Sequence, residues 1–140
     1  MKNEYDQFHV GIHVFVIRDN KLLLGKRKNV YGEGSWGLPG GHLEQKEKMQ
    51  DTAKRELMEE TGMTANNFEF VCLVNDNRED QHYIQVGFMA KDAGGEPILK
   101  EPNKCEEWKW FDLNDLPQEV FVGAKDIIKA FQNKLNFIDR

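Results

Sequence analysis

The chain is poor in cysteine, has no surplus of basic residues and contains no long apolar run, and each shortage removes a class of function. Cys72 and Cys105 lack the spacing of a zinc site or a redox dithiol, so both are expected as reduced thiols rather than as a disulfide. Lys and Arg total 19 against 24 Asp and Glu, a formal charge of -5, which does not favour tracking a duplex phosphate backbone. Nucleic acid polymers are accordingly not expected as partners. No run approaches membrane-spanning length, and residues 1–6 are polar without the apolar core of a signal peptide, so a cytoplasmic protein with no membrane partner is expected. Ser35 lacks the flanking pattern of a nucleophile elbow, and neither cysteine sits in a catalytic motif.

What remains is a composition of 39% apolar and 31% charged residues over 140 positions, fitting one globular domain spanning residues 1–140. An acidic protein that handles an anionic substrate needs a local positive device, either a metal ion or a small basic patch.

Hydrophobic patterning sets out the elements. Residues 8–17 and 22–24 read as a hairpin around Asp19-Asn20, and the glycine-rich stretch 31–41 reads as a loop with a short strand. Residues 48–61 contain no Gly or Pro and end at Gly62, which predicts a helix. Residues 68–74 and 83–90 predict an antiparallel pair joined by the polar segment 75–80. A strand at 108–111 and a helix near 123–135 follow. Interleaving of this kind predicts an α/β fold, a mixed sheet sandwiched between helices.

The informative segment begins at Gly41. Gly41, Glu47, Arg55, Glu56, Leu57, Glu59, Glu60, Gly62 and Met63 satisfy the pattern G-x5-E-x7-R-E-U-x-E-E-x-G-U, where U is bulky and apolar. A chance match in a chain this long is on the order of one in ten million, so the pattern carries weight that a lone glycine motif would not. On a helix, Glu56, Glu59 and Glu60 stand at i, i+3 and i+4, so three carboxylates share one face. Met49, Ala53 and Leu57 form the apolar stripe, and Glu60 projects roughly 20° from Met49, inside it. A carboxylate aimed at the core is costly unless paired or metal-bound. Two readings stand: a solvated acidic face balanced by Lys48 and Lys54, or a site for a hard cation, Mg²⁺ or Mn²⁺, which oxygen ligands suit. The position of Glu60 favours the second.

This pattern resembles the signature of the Nudix hydrolases. Residues 23–27 (Leu-Leu-Gly-Lys-Arg), 38–44 (Leu-Pro-Gly-Gly-His-Leu-Glu) and 101–108 (Glu-Pro-Asn-Lys-Cys-Glu-Glu-Trp) are similar to the small mutator-type branch. The resemblance implies that Glu56 ligates metal or activates water, that Glu59, Glu60 and the Gly40 carbonyl ligate metal, and that Arg55 orients Glu56. Glu47 would join that network, or else serve as a helix N-terminal carboxylate. Arg27 is a candidate phosphate contact or an exposed charge, and Gly41 and His42 are candidate substrate contacts, His42 being equally readable as a loop histidine. At most one of Trp36, Trp108 and Trp110 is expected at a base, since strand aromatics more often fill cores. Glu106 or Glu107 would either add a metal ligand or face solvent. Lys46 stands where many relatives have glycine, so either it adopts a left-handed conformation or the loop bends differently. The implied activity is metal-dependent cleavage of a nucleoside triphosphate to monophosphate and pyrophosphate by a homodimer. Another organic diphosphate, or a catalytically silent nucleotide-sensing module, are the alternatives.

Overall fold

The computed structural model describes residues 8–140, so the polar stretch 1–6 lies outside the described residues. Strand β1 (His9–Phe15) alternates its side chains between two faces, burying Ile12 and Val14 on one and Phe15 on the other. Past Val16 the chain enters β2 (Ile17–Arg18) and returns in β3 (Lys21–Arg27). Asp19 and Asn20 both take positive φ, 49° and 63°, the geometry that a two-residue hairpin turn requires. The hairpin expected from the sequence is therefore narrower than its apolar pattern. Only Ile17 and Arg18 pair with Leu22 and Lys21, while β1 crosses to a different sheet.

Two short strands, β4 (Trp36–Gly37) and β5 (Gly40–His42), flank Pro39, and α1 (Met49–Thr61) follows. Next come β6 (Asn67–Asn77), β7 (His82–Lys91), β8 (Cys105–Asp112), α2 (Val122–Gln132) and β9 (Phe137–Asp139). One mixed sheet runs β5-β1-β7-β6-β9, with β1 and β7 parallel, and β3 joins β2, β4 and β8 in a second, antiparallel sheet.

The five-stranded sheet carries a helix on each face. Ala53 and Leu57 of α1 pack with Ile12, Val14, Val86 and Phe88; Ala124, Ile127 and Ile128 of α2 pack with Phe15, Cys72 and Val74. The chain thus has the α/β/α arrangement that its patterning predicts. A register shift between Phe70 and Cys72 explains how β6 serves both cores: Phe68 faces α1, but Cys72 and Val74, of the same parity, face α2.

Element boundaries differ from the sequence expectation, and one strand is added. Strand β6 continues through Asn77, because Asp76 is neutralised by Arg78 (2.9 Å) and its polarity does not end the ladder. Helix α2 stops at Gln132 rather than near Leu135, and the chain then adds β9, too short for periodicity to reveal, parallel to β6. Cys72 is buried and both cysteines are unpaired. Among the described residues no helix is long and apolar enough to cross a membrane.

Candidate active site

Helix α1 is held down by Ala53 and Leu57, both fully buried, with Met49 partly covered, which turns Arg55, Glu56 and Glu59 outward along one flank. Gly62 ends the helix in the left-handed conformation (φ 73°), its amide donating to the Met58 carbonyl. At the other end Lys46 also takes a left-handed conformation, φ 67°, so the departure from glycine is absorbed as local strain and the loop keeps its turn.

Arg55 organises the flank. Its Nε donates to Glu47 Oε2 (2.8 Å) and its Nη2 to Glu47 Oε1 (3.1 Å), while Nη1 donates to Glu56 Oε1 (2.7 Å) and to Glu59 Oε2 (3.4 Å). Glu47 also accepts from the Thr52 hydroxyl (2.7 Å) and the Glu44 amide (3.1 Å). It is therefore part of this network, and these hydrogen bonds, Arg55 first, hold its carboxyl down at about 2. The counter-charge for the acidic face is Arg55; among the described ion pairs neither Lys48 nor Lys54 reaches the glutamates.

Glu56 and Glu60 behave differently. Burial raises both, the Arg55 hydrogen bond opposing the shift in Glu56, and Glu60 is pushed up to about 8 despite accepting from the Gly40 amide (2.8 Å). Gly41 lies directly beneath the Glu56 carboxyl, in space that a Cβ would fill, and a Cβ on Gly40 would strike the Ile12 carbonyl. Gly40 therefore lets β5 lie close against β1, and Gly41 lets it pass under α1 closely enough for strand and carboxylates to share one wall.

That wall bounds a cavity of about 540 Å³. Of the residues singled out in the sequence, Arg27, Gly40, Gly41, His42, Glu56, Glu59, Glu60 and Trp108 line it, whereas Glu47 and Arg55 stand behind it. Arg27 is stacked on the Phe121 ring (3.8 Å) with its Nε donating to the Tyr31 carbonyl (2.8 Å), which fixes a half-buried cation facing the acidic wall. His42 stacks against His9 (5.3 Å) and approaches the Tyr83 hydroxyl (3.3 Å); burial, then His9, lowers its pKa. Trp108 lies over Gly25 and donates from Nε1 to the Glu60 carbonyl (3.2 Å). Trp36 packs on Phe111 and Trp110 sits beneath Arg18, both away from the cavity. Glu106 pairs with Lys26 (3.4 Å), and neither it nor Glu107 reaches the cavity. Cys105 does line it, but burial pushes its thiol up to about 11, too high for a thiolate nucleophile.

Sequence reasoning missed His13, Gln85, Arg78 and Tyr83, which also line the cavity, and Glu101, whose charge acts on Glu56 and Glu60. The alternation of β1 and β7 marks His13 and Gln85 as polar residues in otherwise apolar strands, the one signal that could have exposed them.

A NUDIX domain matches residues 7–131, and the chain belongs to this family of hydrolases. It is 35% identical over 129 residues to an ADP-ribose pyrophosphatase of Methanocaldococcus jannaschii, covering 91% of this chain and 75% of that one. To an oxidized purine nucleoside triphosphate hydrolase of Danio rerio it is 30% identical over 121 residues, 82% of this chain and 72% of the relative. A MutT NUDIX hydrolase from Burkholderia pseudomallei superposes with a TM-score of 0.82 at 32% identity, over 89% of this chain and 98% of the other.

Proposed function

We propose that the cavity hydrolyses a diphosphate linkage of a nucleoside triphosphate, releasing nucleoside monophosphate and pyrophosphate, with a divalent cation as cofactor. The observation that carries this reading is the pair Glu56 and Glu60, two buried carboxylates lining a cavity that the stacked cation Arg27 also lines.

The residues fit a hard cation. The donors are carboxylate and carbonyl oxygens, and the desolvation that raises Glu56 and Glu60 is what a bound cation would relieve. Among the described residues no cluster of acidic, histidine or cysteine side chains forms a cage by itself. Mg²⁺ does not need one, since it usually takes one or two carboxylates and completes its shell with water and substrate phosphate. Glu56, Glu59, Glu60 and the Gly40 carbonyl would hold it, Mn²⁺ being an acceptable replacement. When bound it would neutralise phosphate charge and template the in-line displacement.

The chain's own groups do the rest. Glu56 accepts the proton of the attacking water, and Arg55, itself fixed by Glu47, keeps one carboxyl oxygen turned away so that the other is presented to the cavity. Arg27 contacts a phosphate, Gly41 allows close approach, and His42 lies beside the substrate. Glu56→Gln keeps an oxygen acceptor for Arg55 but no base, so kcat should fall by about 10²- to 10⁴-fold with little change in thermal unfolding.

A substrate panel tests the reading: deoxynucleoside and nucleoside triphosphates, oxidised dGTP, ADP-ribose and a prenyl diphosphate, with phosphate, pyrophosphate and organic monophosphate products followed in Mg²⁺. The similarity to an ADP-ribose pyrophosphatase supports a second reading, a nucleoside diphosphate linked to another group, which would give two monophosphates and no pyrophosphate. No turnover of any compound, with nucleotide binding intact, would favour a sensing module and overturn both. Proton release gives an independent readout of the cation. At pH 7 Glu60, at about 8, is mostly protonated, so Mg²⁺ binding should expel close to one proton in the wild type and much less in Glu60→Gln, measured by calorimetry in buffers of different ionisation enthalpy. The same reading includes a homodimer in a cytoplasmic setting, the former checked by sedimentation.

A further inference from the structure

His13 and Gln85, which line the cavity, belong to a chain of buried groups that hydrolysis does not use, with Asp76 behind them. Gln85, His13 and Asp76 are 4%, 8% and 3% exposed, and they form one line: His13 Nε2 to Gln85 Oε1 (2.7 Å), Gln85 Nε2 to Asp76 Oδ2 (3.2 Å), and Asp76 to Arg78. The pairing fixes every orientation. Asp76, ion-paired with Arg78, can only accept, so the Gln85 amide nitrogen must face it. The Gln85 oxygen then faces His13, which must donate from Nε2. Burial lowers the His13 pKa, in keeping with a neutral ring.

Each group of the Gln85 amide has capacity left over. One lone pair of Oε1 is taken by His13 and one hydrogen of Nε2 by Asp76, which leaves one acceptor site and one donor hydrogen of the same amide for a ligand. The amide lies across Gly11, where a Cβ would collide with it, and beside Gly123 at the start of α2; all three residues line the cavity. Burying three polar side chains to hold one amide in a single orientation is costly for packing alone, since apolar residues would fill the same space without needing partners.

We infer that Gln85 is the specificity-determining residue of this cavity, reading an edge of a nucleobase that offers a hydrogen-bond donor beside an acceptor, with His13 and Asp76 as its positioning residues. The amino group and ring nitrogen of adenine are such an edge, and an amide meets them with two hydrogen bonds. This inference rests on the nucleotide reading above. Glu56, Glu59 and Glu60 line the same cavity, so the phosphate chain and the base would be held by different residues of it.

Binding, rather than turnover, tests it, so that a failure of the hydrolysis reading leaves the result interpretable. Calorimetry in Mg²⁺ buffer would compare AMP, GMP, purine riboside 5′-monophosphate, which has no exocyclic group, and ribose 5-phosphate, which has no base. The wild type should bind AMP or GMP about tenfold or more tighter than purine riboside 5′-monophosphate, because a site built to hydrogen-bond a group rejects the analogue lacking it. Gln85→Met, of similar length, should reduce that ratio to within about threefold while leaving ribose 5-phosphate unchanged. Asp76→Asn frees the amide to turn over and should also narrow the ratio, a second route if Gln85→Met unfolds. A ratio that survives in either folded variant, a parallel loss of ribose 5-phosphate binding, or no ratio in the wild type would each overturn the assignment.

Discussion

Arg55 donates hydrogen bonds to three carboxylates whose surroundings differ, and that difference separates their roles. Glu47 is fixed by hydrogen bonds and held at about 2, so its charge is unavailable to a proton and serves to anchor the guanidinium. A carboxyl depressed from its ordinary 4.5 contributes stability that is complete above 4.5 and lost as pH falls through about 2. The gap in urea stability between wild type and Glu47→Gln should therefore be full at neutral pH and close between those values; a gap that persists at pH 2 would place the stabilisation elsewhere. Glu56, Glu59 and Glu60 were legible in the sequence because one helix carries them at fixed spacing. Gln85 and His13 were not, since 72 residues separate them and only sheet pairing brings them together.

Single elements show where the site depends on backbone rather than side chains. The loop before α1 turns at Lys46 with φ 67°, a conformation a non-glycine residue adopts at a cost of about 1 kcal/mol. Lys46→Gly should accordingly raise stability or leave it level, with activity kept, as read from denaturant midpoints; a clear loss would mean that the lysine side chain carries a contact. Beneath α1, Gly41→Ala puts a methyl group where the Glu56 carboxyl lies. Under the proposed role of Glu56, turnover should fall by about 10²-fold or more, while global stability changes far less. Helix α1 and its Gly62 stop follow directly from the sequence, as does the β6–β7 pair. The hairpin at Asp19-Asn20 was visible too, but not the crossing of β1 into the other sheet. An apolar run reports that a strand is buried and says nothing about which neighbour it pairs with.

Across the molecule, an acidic protein with a formal charge of -5 handles a polyanion by concentrating charge locally. The cavity brings together carboxylates of α1 above the glycines of β5, the stacked cation Arg27 from β3, and buried polar groups of β1 and β7. The fold class was readable because α1 and α2 each cover one face of a single mixed sheet. The make-up of the cavity was not, because its parts come from two sheets and both helices. The central claim is that Glu56, with its neighbours on α1, drives cleavage to pyrophosphate. The most direct test is pyrophosphate release from the preferred nucleoside triphosphate by wild type and Glu56→Gln at saturating Mg²⁺, with thermal unfolding measured in parallel. Pyrophosphate from the wild type and a loss of about 10²- to 10⁴-fold in a folded mutant is the predicted result, while undiminished turnover by Glu56→Gln would contradict it.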